Sequence, residues 1–258
     1  MIEDNRHFLI ANVEDKIKLA NKTNRIKNTV FYTMQEQHVI EKFLKSNVIQ
    51  QYLFCGGFSE AERQVLIVYP RQYEEDFAKR NLTNILKVIQ IILPKELRGQ
   101  YTHRDYLSAL MKIGLGRERF GDILVFDDEA EVIVLKENAE YICESLKQFT
   151  RFKKSDINII SIGEMRKKEV SFEELKIVVA SPRLDSFVAE LANCSRSQAE
   201  EMLMAERVFI NSEIESKPSK QVHVDDIVTI RGKGKFIVSE FQGENKKERK
   251  IYFIKKYQ

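Results

Sequence analysis

The sequence predicts an α+β fold spread over two or three modules. Three observations carry this. Some segments repeat apolar residues at helical spacing while others are short runs of β-branched and aromatic residues. The 258 residues exceed what one core usually holds at about 150 residues per domain. A chain 43% hydrophobic and 31% charged has the composition of a soluble globular protein, not of a disordered one.

Residues 1–50 read as two amphipathic helices, from Leu9, Val13 and Ile17 at intervals of four and from Val39, Ile40, Phe43 and Leu44. Residues 51–58 and 64–69 then read as a hairpin broken by Gly56-Gly57 and ended by Pro70. This predicts an N-terminal α+β domain over residues 1–80.

From residue 85 to 93 the chain is nearly continuously apolar and closes at Pro94, as a strand buried on both faces would. Thr102 followed by Asp105 resembles a capping box, with Tyr106, Leu107, Leu110 and Met111 as the buried stripe and Gly114 as the stop. Residues 120–126 and 131–135 suggest a hairpin turning at Asp127-Asp128-Glu129. Residues 137–149 read as a helix through Ile142, Leu146 and Phe149, and 157–162 as a last strand. The order βαββαβ over residues 81–165 predicts a ferredoxin-like plait, the architecture of RNA-recognition motifs. Its first and third strands carry no aromatic residue to stack on a base, which favours a scaffold or protein-docking role.

Residues 164–176 are densely charged and suit a connector. In the segment 177–258, Ser181-Pro182 suits a helix start, with Leu184, Phe187, Val188 and Leu191 as its apolar face. Ser195 with Gln198 forms a second capping signature before Ala199, Met202, Leu203 and Ala205. Strands are expected at 208–211 and 221–231, the second bending at Asp225-Asp226, and a closing hairpin at 237–241 and 250–254 around Gly243.

The net charge of +3 is too small to name a partner, but its distribution is uneven. Between Arg231 and Gln258 stand nine Lys or Arg against three Asp or Glu; between Arg183 and Ile230 the balance is five against nine. A smaller basic cluster comprises Arg151, Lys153, Lys154, Arg166, Lys167 and Lys168. Asp and Glu at the N-terminus, and no apolar run near the ~20 residues of a membrane span, point to a cytoplasmic protein without membrane contact. Cys55, Cys143 and Cys194 are odd in number and far apart, as expected of ordinary buried or half-buried thiols. No pattern calls for a cofactor or a metal.

The ordered phrase Arg183-Leu184-Asp185, Ser195-Arg196-x-x-Ala199, Val208-x-Ile210-Asn211, Lys217-Pro218-Ser219, Val222, Asp226-x-Val228-x-Ile230-Arg231 resembles the S4-type (alpha-L) RNA-binding domain. It departs from that pattern near Glu206-Arg207 and at Ser212, where glycines are usual. The resemblance implies an L-shaped surface for folded RNA carried by Arg183, Ser195, Arg196, Gln198, Lys217 and Lys220. Ser195 and Gln198 also have the plainer reading of a helix cap, and Lys220 that of a solvated charge. Arg231, Lys233 and Lys235, interleaved with Gly232 and Gly234, add cations that can approach phosphates together.

Over nearly the whole length the chain resembles the YlmH family. The resemblance rests on Tyr101-Thr102-His103-Arg104-Asp105-Tyr106-Leu107-x-Ala109-Leu110, Gly114-Leu115-Gly116-Arg117-x-x-x-Gly121-Asp122-Ile123, and the S4-type domain running into Arg231-Gly232-x-Gly234-Lys235-Phe236. It implies an N-terminal domain, an RNA-recognition-like centre and an S4-type end. It also implies a part in ribosome-associated quality control, on large ribosomal subunits carrying stalled peptidyl-tRNA, alongside a cell-division label drawn from genomic setting. The expected partners are ribosomal RNA and tRNA, with no small-molecule substrate and the chain acting as a monomer. Arg104, Arg117 and Arg119 either touch RNA or pair with Asp105 and Asp122.

Enzyme readings fare worse. His103-Arg104-Asp105 lacks the Asn and the glycine loop of a kinase, and Gly114-x-Gly116 lacks dinucleotide or Walker spacing. Pseudouridine synthases join an S4-type domain to a catalytic Arg-Leu-Asp, but residues 183–185 already open the S4-type domain here. The expectation is a non-enzymatic RNA-binding protein, with a pseudouridine synthase or a cell-division adaptor as alternatives.

Overall fold

In the computed structural model, which describes residues 3–166, 172–211 and 213–257, the chain opens with helix α1 (Glu3–Thr23) and strand β1 (Lys27–Tyr32). Helix α2 (Met34–Ser46) follows, its start fixed by a reciprocal Thr33–Glu36 capping box. Strands β2 (Tyr52–Cys55) and β3 (Gln64–Val68) form the expected hairpin. Strand β1 falls in a stretch read from sequence as helical. It pairs with the far side of β3, giving the order β1-β3-β2. Its register slips between Asn28 and Phe31, where the Leu66 amide donates to Thr29 Oγ1 at 2.9 Å.

After the short helices α3 (Glu75–Arg80) and α4 (Leu82–Ile85) the second sheet begins. The run is β4 (Leu86–Ile92), α5 (His103–Lys112), β5 (Phe120–Val125), β6 (Glu129–Leu135), α6 (Lys136–Lys147) and β7 (Asp156–Ile160). The strand order β5-β6-β4-β7, antiparallel throughout, is that of the ferredoxin-like plait. The Thr102–Asp105 capping box of α5 is present, but Met111 faces outward instead of joining the buried stripe.

Each sheet uses both of its faces. Leu66 and Val68 pack on Leu9, Val13, Ile40 and Leu44 of α1 and α2, while Val65 and Ile67, with Phe31, pack on Leu86, Ile133 and Leu135 of the second sheet. The alternate residues Ile89, Ile91, Val132 and Val134 meet α5 and α6. The result is four layers, helix, sheet, sheet and helix, within one compact unit, Met1–Lys168. The plait therefore does not expose the sheet face on which recognition motifs stack bases. Val88 and Ile133 have no solvent exposure there, and the buried Glu131 carboxylate accepts the Arg166 amide at 3.0 and 3.2 Å.

The second unit, Glu169–Gln258, starts with strand β8 (Phe172–Val179), where the sequence suggested a connector. Lys167, Lys168, the rest of that connector before Phe172, and Ser212 lie outside the described residues. Helices α7 (Leu184–Ala192) and α8 (Arg196–Met204) come next. Strands β9 (Val208–Ile210), β10 (Glu213–Ile214), β11 (Ile227–Ile230), β12 (Gly234–Glu244) and β13 (Lys250–Tyr257) complete an antiparallel sheet in the order β10-β9-β11-β12-β13-β8. Three expectations are corrected here. The strand expected over 221–231 is reduced to β11, because Asp225 turns the chain at φ 71°. Gly243 marks a register shift inside the last hairpin, whose turn lies at 245–249, where the Asn245 and Glu248 amides donate to Arg249 and Asn245 carbonyls. Ala205 is exposed. Glu206 holds the left-handed turn before β9, at φ 54°, where the S4-type pattern has glycine.

The three cysteines are free, with Cys143 buried and the other two half-buried. Burial pushes the Cys55 and Cys143 thiols up, so neither is a ready nucleophile. Among the described residues no helix is long and apolar enough to cross a membrane.

Gly121 of β5 lies against Phe31 of β1, and a Cβ built on it would stand 2.7 Å from a ring carbon. Gly121→Ala is expected to destabilise the first unit by about 1–3 kcal/mol. Urea unfolding followed by circular dichroism measures it; an unchanged midpoint would mean that the two sheets do not meet as described.

Candidate nucleic-acid interface

The N-terminus of α7 carries the site. Arg183 is its N-cap but makes no side-chain cap, and Ser181, expected to open the helix, is not the capping residue. The first amides are satisfied by a distant loop instead: Leu184 donates to the Lys220 carbonyl at 2.8 Å and Asp185 to that of Pro218 at 3.2 Å. The Val222 amide in turn donates to the Pro182 carbonyl at 2.8 Å. A helix end with unmet amides is stabilised by any acceptor that reaches it. Here the acceptor loop also brings Lys217 and Lys220, both exposed, to the same end of α7.

Within this end the Asp185 side chain has no solvent exposure. Its Oδ1 accepts Arg183 Nε at 3.1 Å and the Ser186 amide at 2.8 Å, and its Oδ2 accepts Arg183 Nη2 at 2.9 Å and Arg196 Nη2 at 2.7 Å. Burial alone would raise the pKa of this carboxyl, but the two guanidinium groups outweigh it and hold the group below its ordinary value. The arginines keep 36% and 54% of their side-chain surface, so one buried anion aligns two outward-facing cations from different helices. Glu200 adds a second carboxylate near Arg183, so the cluster's cationic character lies in the exposed guanidinium groups and not in a local excess of charge.

Helix α8 begins beside it. Ser195 Oγ accepts the Gln198 amide at 3.2 Å and Gln198 Oε1 accepts the Ser195 amide at 3.1 Å, so both side chains serve the cap. What they present is the positive end of a helix, next to Arg196. Farther along the unit, the Arg231 guanidinium lies 5.0 Å from the Phe209 ring centroid and the Lys235 ammonium 4.7 Å from that of Tyr257. Lys233 is exposed in the turn between β11 and β12, where its amide donates to the Ile230 carbonyl at 2.9 Å.

In the first unit Arg117 binds inward. It donates to the carbonyls of Phe120 and Gly121 at 2.7 and 2.9 Å and lies over the Phe120 ring, and burial beside Arg63 pulls its pKa down to about 10. Asp122 pairs with neither Arg117 nor Arg104; it accepts the amides of Glu62 and Arg63. Asp105 pairs with Arg151 at 3.0 Å. Arg119 reaches Glu137 at 3.7 Å, and Arg104 is exposed on α5. Sequence reasoning placed Asp185 only as a helix opener or a candidate catalytic group; the signal for its organising role is an acid flanked by Arg183 and followed by Arg196 at the next helix start.

The fold falls in a class, the RNA-binding proteins that carry an S4 domain. Residues 182–228 match the S4 domain, and residues 84–163 match the family described as "Putative RNA-binding domain in YlmH". The chain thus carries the YlmH RNA-binding domain followed by an S4 domain, and the resemblance to the YlmH family holds. It is similar to the "Ribosome-associated protein quality control protein P2" of Bacillus subtilis (strain 168), 28% identical over 252 residues, 96% of this chain and 93% of that protein. A solved structure, "Cell division protein ylmH from Streptococcus pneumoniae", is 17% identical with a TM-score of 0.48, over 64% of this chain and 94% of that one.

Because the folded pKa of Asp185 is depressed, its contribution to stability is present at neutral pH and is lost as pH falls through the carboxylate range and below. Asp185→Asn is expected to cost about 1–3 kcal/mol at pH 7, and the gap from the native chain should close in acid. Urea titrations across that range check it; a gap independent of pH would mean that the carboxylate is not charged in the fold.

Proposed function

We propose that this protein is a non-enzymatic factor that holds folded ribosomal RNA and tRNA on large ribosomal subunits carrying stalled peptidyl-tRNA. The observation that carries the reading is the buried Asp185 presenting Arg183 and Arg196 beside the N-terminus of α8. Two guanidinium groups in fixed relation, with a helix N-terminus, suit adjacent phosphates of a rigid RNA backbone. Ser195, Gln198, Lys217 and Lys220 complete this surface; Arg231, Lys233 and Lys235 are further candidate partners for phosphates, Arg231 and Lys235 on the face of the sheet turned away from the two helices. Arg104 and Arg119 are candidates for a secondary RNA contact, while Arg117 serves the fold. The ribosomal target is supported by similarity to the Bacillus subtilis quality-control protein. A cytoplasmic, monomeric protein is the setting that fits this reading.

The enzyme alternative meets a chemical obstacle. Asp185 is the aspartate of the Arg-Leu-Asp phrase, yet it is enclosed and bonded to two arginines, so it offers no free carboxylate to attack a base. For a cell-division adaptor, the sheet face of the plait that could dock a partner is already covered within the first unit.

Replacing Arg183 and Arg196 together by alanine is expected to flatten the log–log salt dependence of RNA binding by about 0.7 to 0.9 for each phosphate that is no longer neutralised. The native chain should travel with free large subunits in a sucrose gradient of stalled lysate, and the double variant should stay at the top. A native chain that stays at the top, or a variant that sediments undiminished, would contradict the ribosomal reading.

A further inference from the structure

We infer that the second unit carries another RNA-binding surface, the face of its sheet turned away from α7 and α8, and that this face stacks unpaired bases. Side chains alternate across each strand. Ile177, Val179, Tyr252, Ile254, Phe236 and Val238 join the core under the two helices. Their sequence neighbours take the opposite face. There Phe172 pairs across the strands with Tyr257, and Lys176 with Phe253. The rings of Phe172 and Tyr257 meet at 5.0 Å.

Each accessible aromatic residue of this face, Phe172, Phe253 and Tyr257, has a cation over it, and so does the buried Phe209 at its edge. Lys255 lies 5.9 Å from the Phe172 centroid, Lys176 5.9 Å from Phe253, Lys235 4.7 Å from Tyr257, and Arg231 5.0 Å from Phe209. The register adds two carboxylates, Glu174 opposite Lys255 and Glu240 opposite Phe253, so positive charge prevails. Phe172 is 39% exposed, and Phe253 and Tyr257 are half-buried.

Alternating rings and cations on a sheet are what a single strand of RNA requires: every base has a face to stack, and every phosphate needs a positive charge. An exposed lysine gains little from the ring beneath it, whereas a stacked base gains more. A base can therefore displace the ammonium, which then moves to the neighbouring phosphate. A protein partner fits less well, because the cores of protein interfaces are depleted in lysine. Strands β8, β12 and β13, which carry Phe172, Lys235, Phe253 and Tyr257, lie outside the 182–228 match to the S4 domain, so this part of the face is an addition to that domain.

The test uses the full chain and a 4-thiouridine-substituted oligouridylate. Irradiation is expected to crosslink Phe172, Phe253 or Tyr257, and the Phe253→Leu/Tyr257→Leu chain should bind the oligouridylate at least about tenfold more weakly while holding a folded RNA hairpin within about twofold. A second chain, Lys235→Gln/Lys255→Gln, leaves every ring in place and should also weaken the oligouridylate, with a flatter salt dependence. The Lys217→Ala/Lys220→Ala chain, which leaves the Asp185 pairing in place, should weaken hairpin binding yet keep the crosslinks, which separates this inference from the function proposed above. Crosslinks confined to α7 and α8, unchanged oligouridylate binding in both sheet variants, or a face that captures a protein without any effect on RNA would overturn it.

Discussion

A carboxylate without solvent exposure must be neutralised where it stands, and the second unit is organised around that requirement. Asp185 is met by Arg183 from its own helix start and by Arg196 from the next, and it sits where the loop at 217–221 closes on α7. Burying a charge is costly unless it is fully bonded. The same bonding ties the start of α8 to the start of α7 and sets the direction of both guanidinium groups, while backbone bonds of Leu184, Asp185 and Val222 seat the lysine-bearing loop. Structure and the proposed function are one constraint here: the groups that make the anion tolerable are those offered to a phosphate.

The first unit obeys a different logic. Its two sheets bury each other, so the plait lends architecture and not a base-stacking platform. The Gly121-Asp122 pair shows how. Gly121 admits the Phe31 ring, and Asp122 accepts two amides from the loop before β3, so a motif rich in polar residues serves packing. Arg117, a cation in the same motif, is spent on carbonyls for the same reason. The cations that keep their surface beside a helix N-terminus, Arg183 and Arg196, stand in the second unit.

Much of this was legible from residue patterns, and the failures have physical causes. The plait was readable because its strands are apolar runs and its first helix, α5, starts at a capping box. The S4-type domain was readable because many residues recur in one order. Strand β1 was missed because Lys27, Asn28 and Thr29 give it a polar first half and its pairing is with a distant strand. Strand β8 was taken for a connector because only one of its faces is buried: Leu175, Ile177 and Val179 point inward, while Glu174 and Lys176 between them carry charge outward. The α7 cap was misplaced at Ser181 because the true acceptors, the Pro218 and Lys220 carbonyls, lie more than thirty residues away. The partners of Asp185 could be named from sequence as RNA contacts, but their shared carboxylate required the fold.

The central claim is that Asp185 acts on RNA through the arginines it aligns, and it opposes what charge alone requires. Removing a negative charge from a cationic surface should tighten RNA binding. If alignment governs, Asp185→Asn weakens binding of a folded ribosomal RNA fragment by about tenfold at neutral pH, and has little further effect once Arg183 and Arg196 are alanine. Fluorescence anisotropy on the four chains of that cycle measures it. Unchanged or tighter binding by the Asp185→Asn chain, or an equal loss in both backgrounds, would contradict the account.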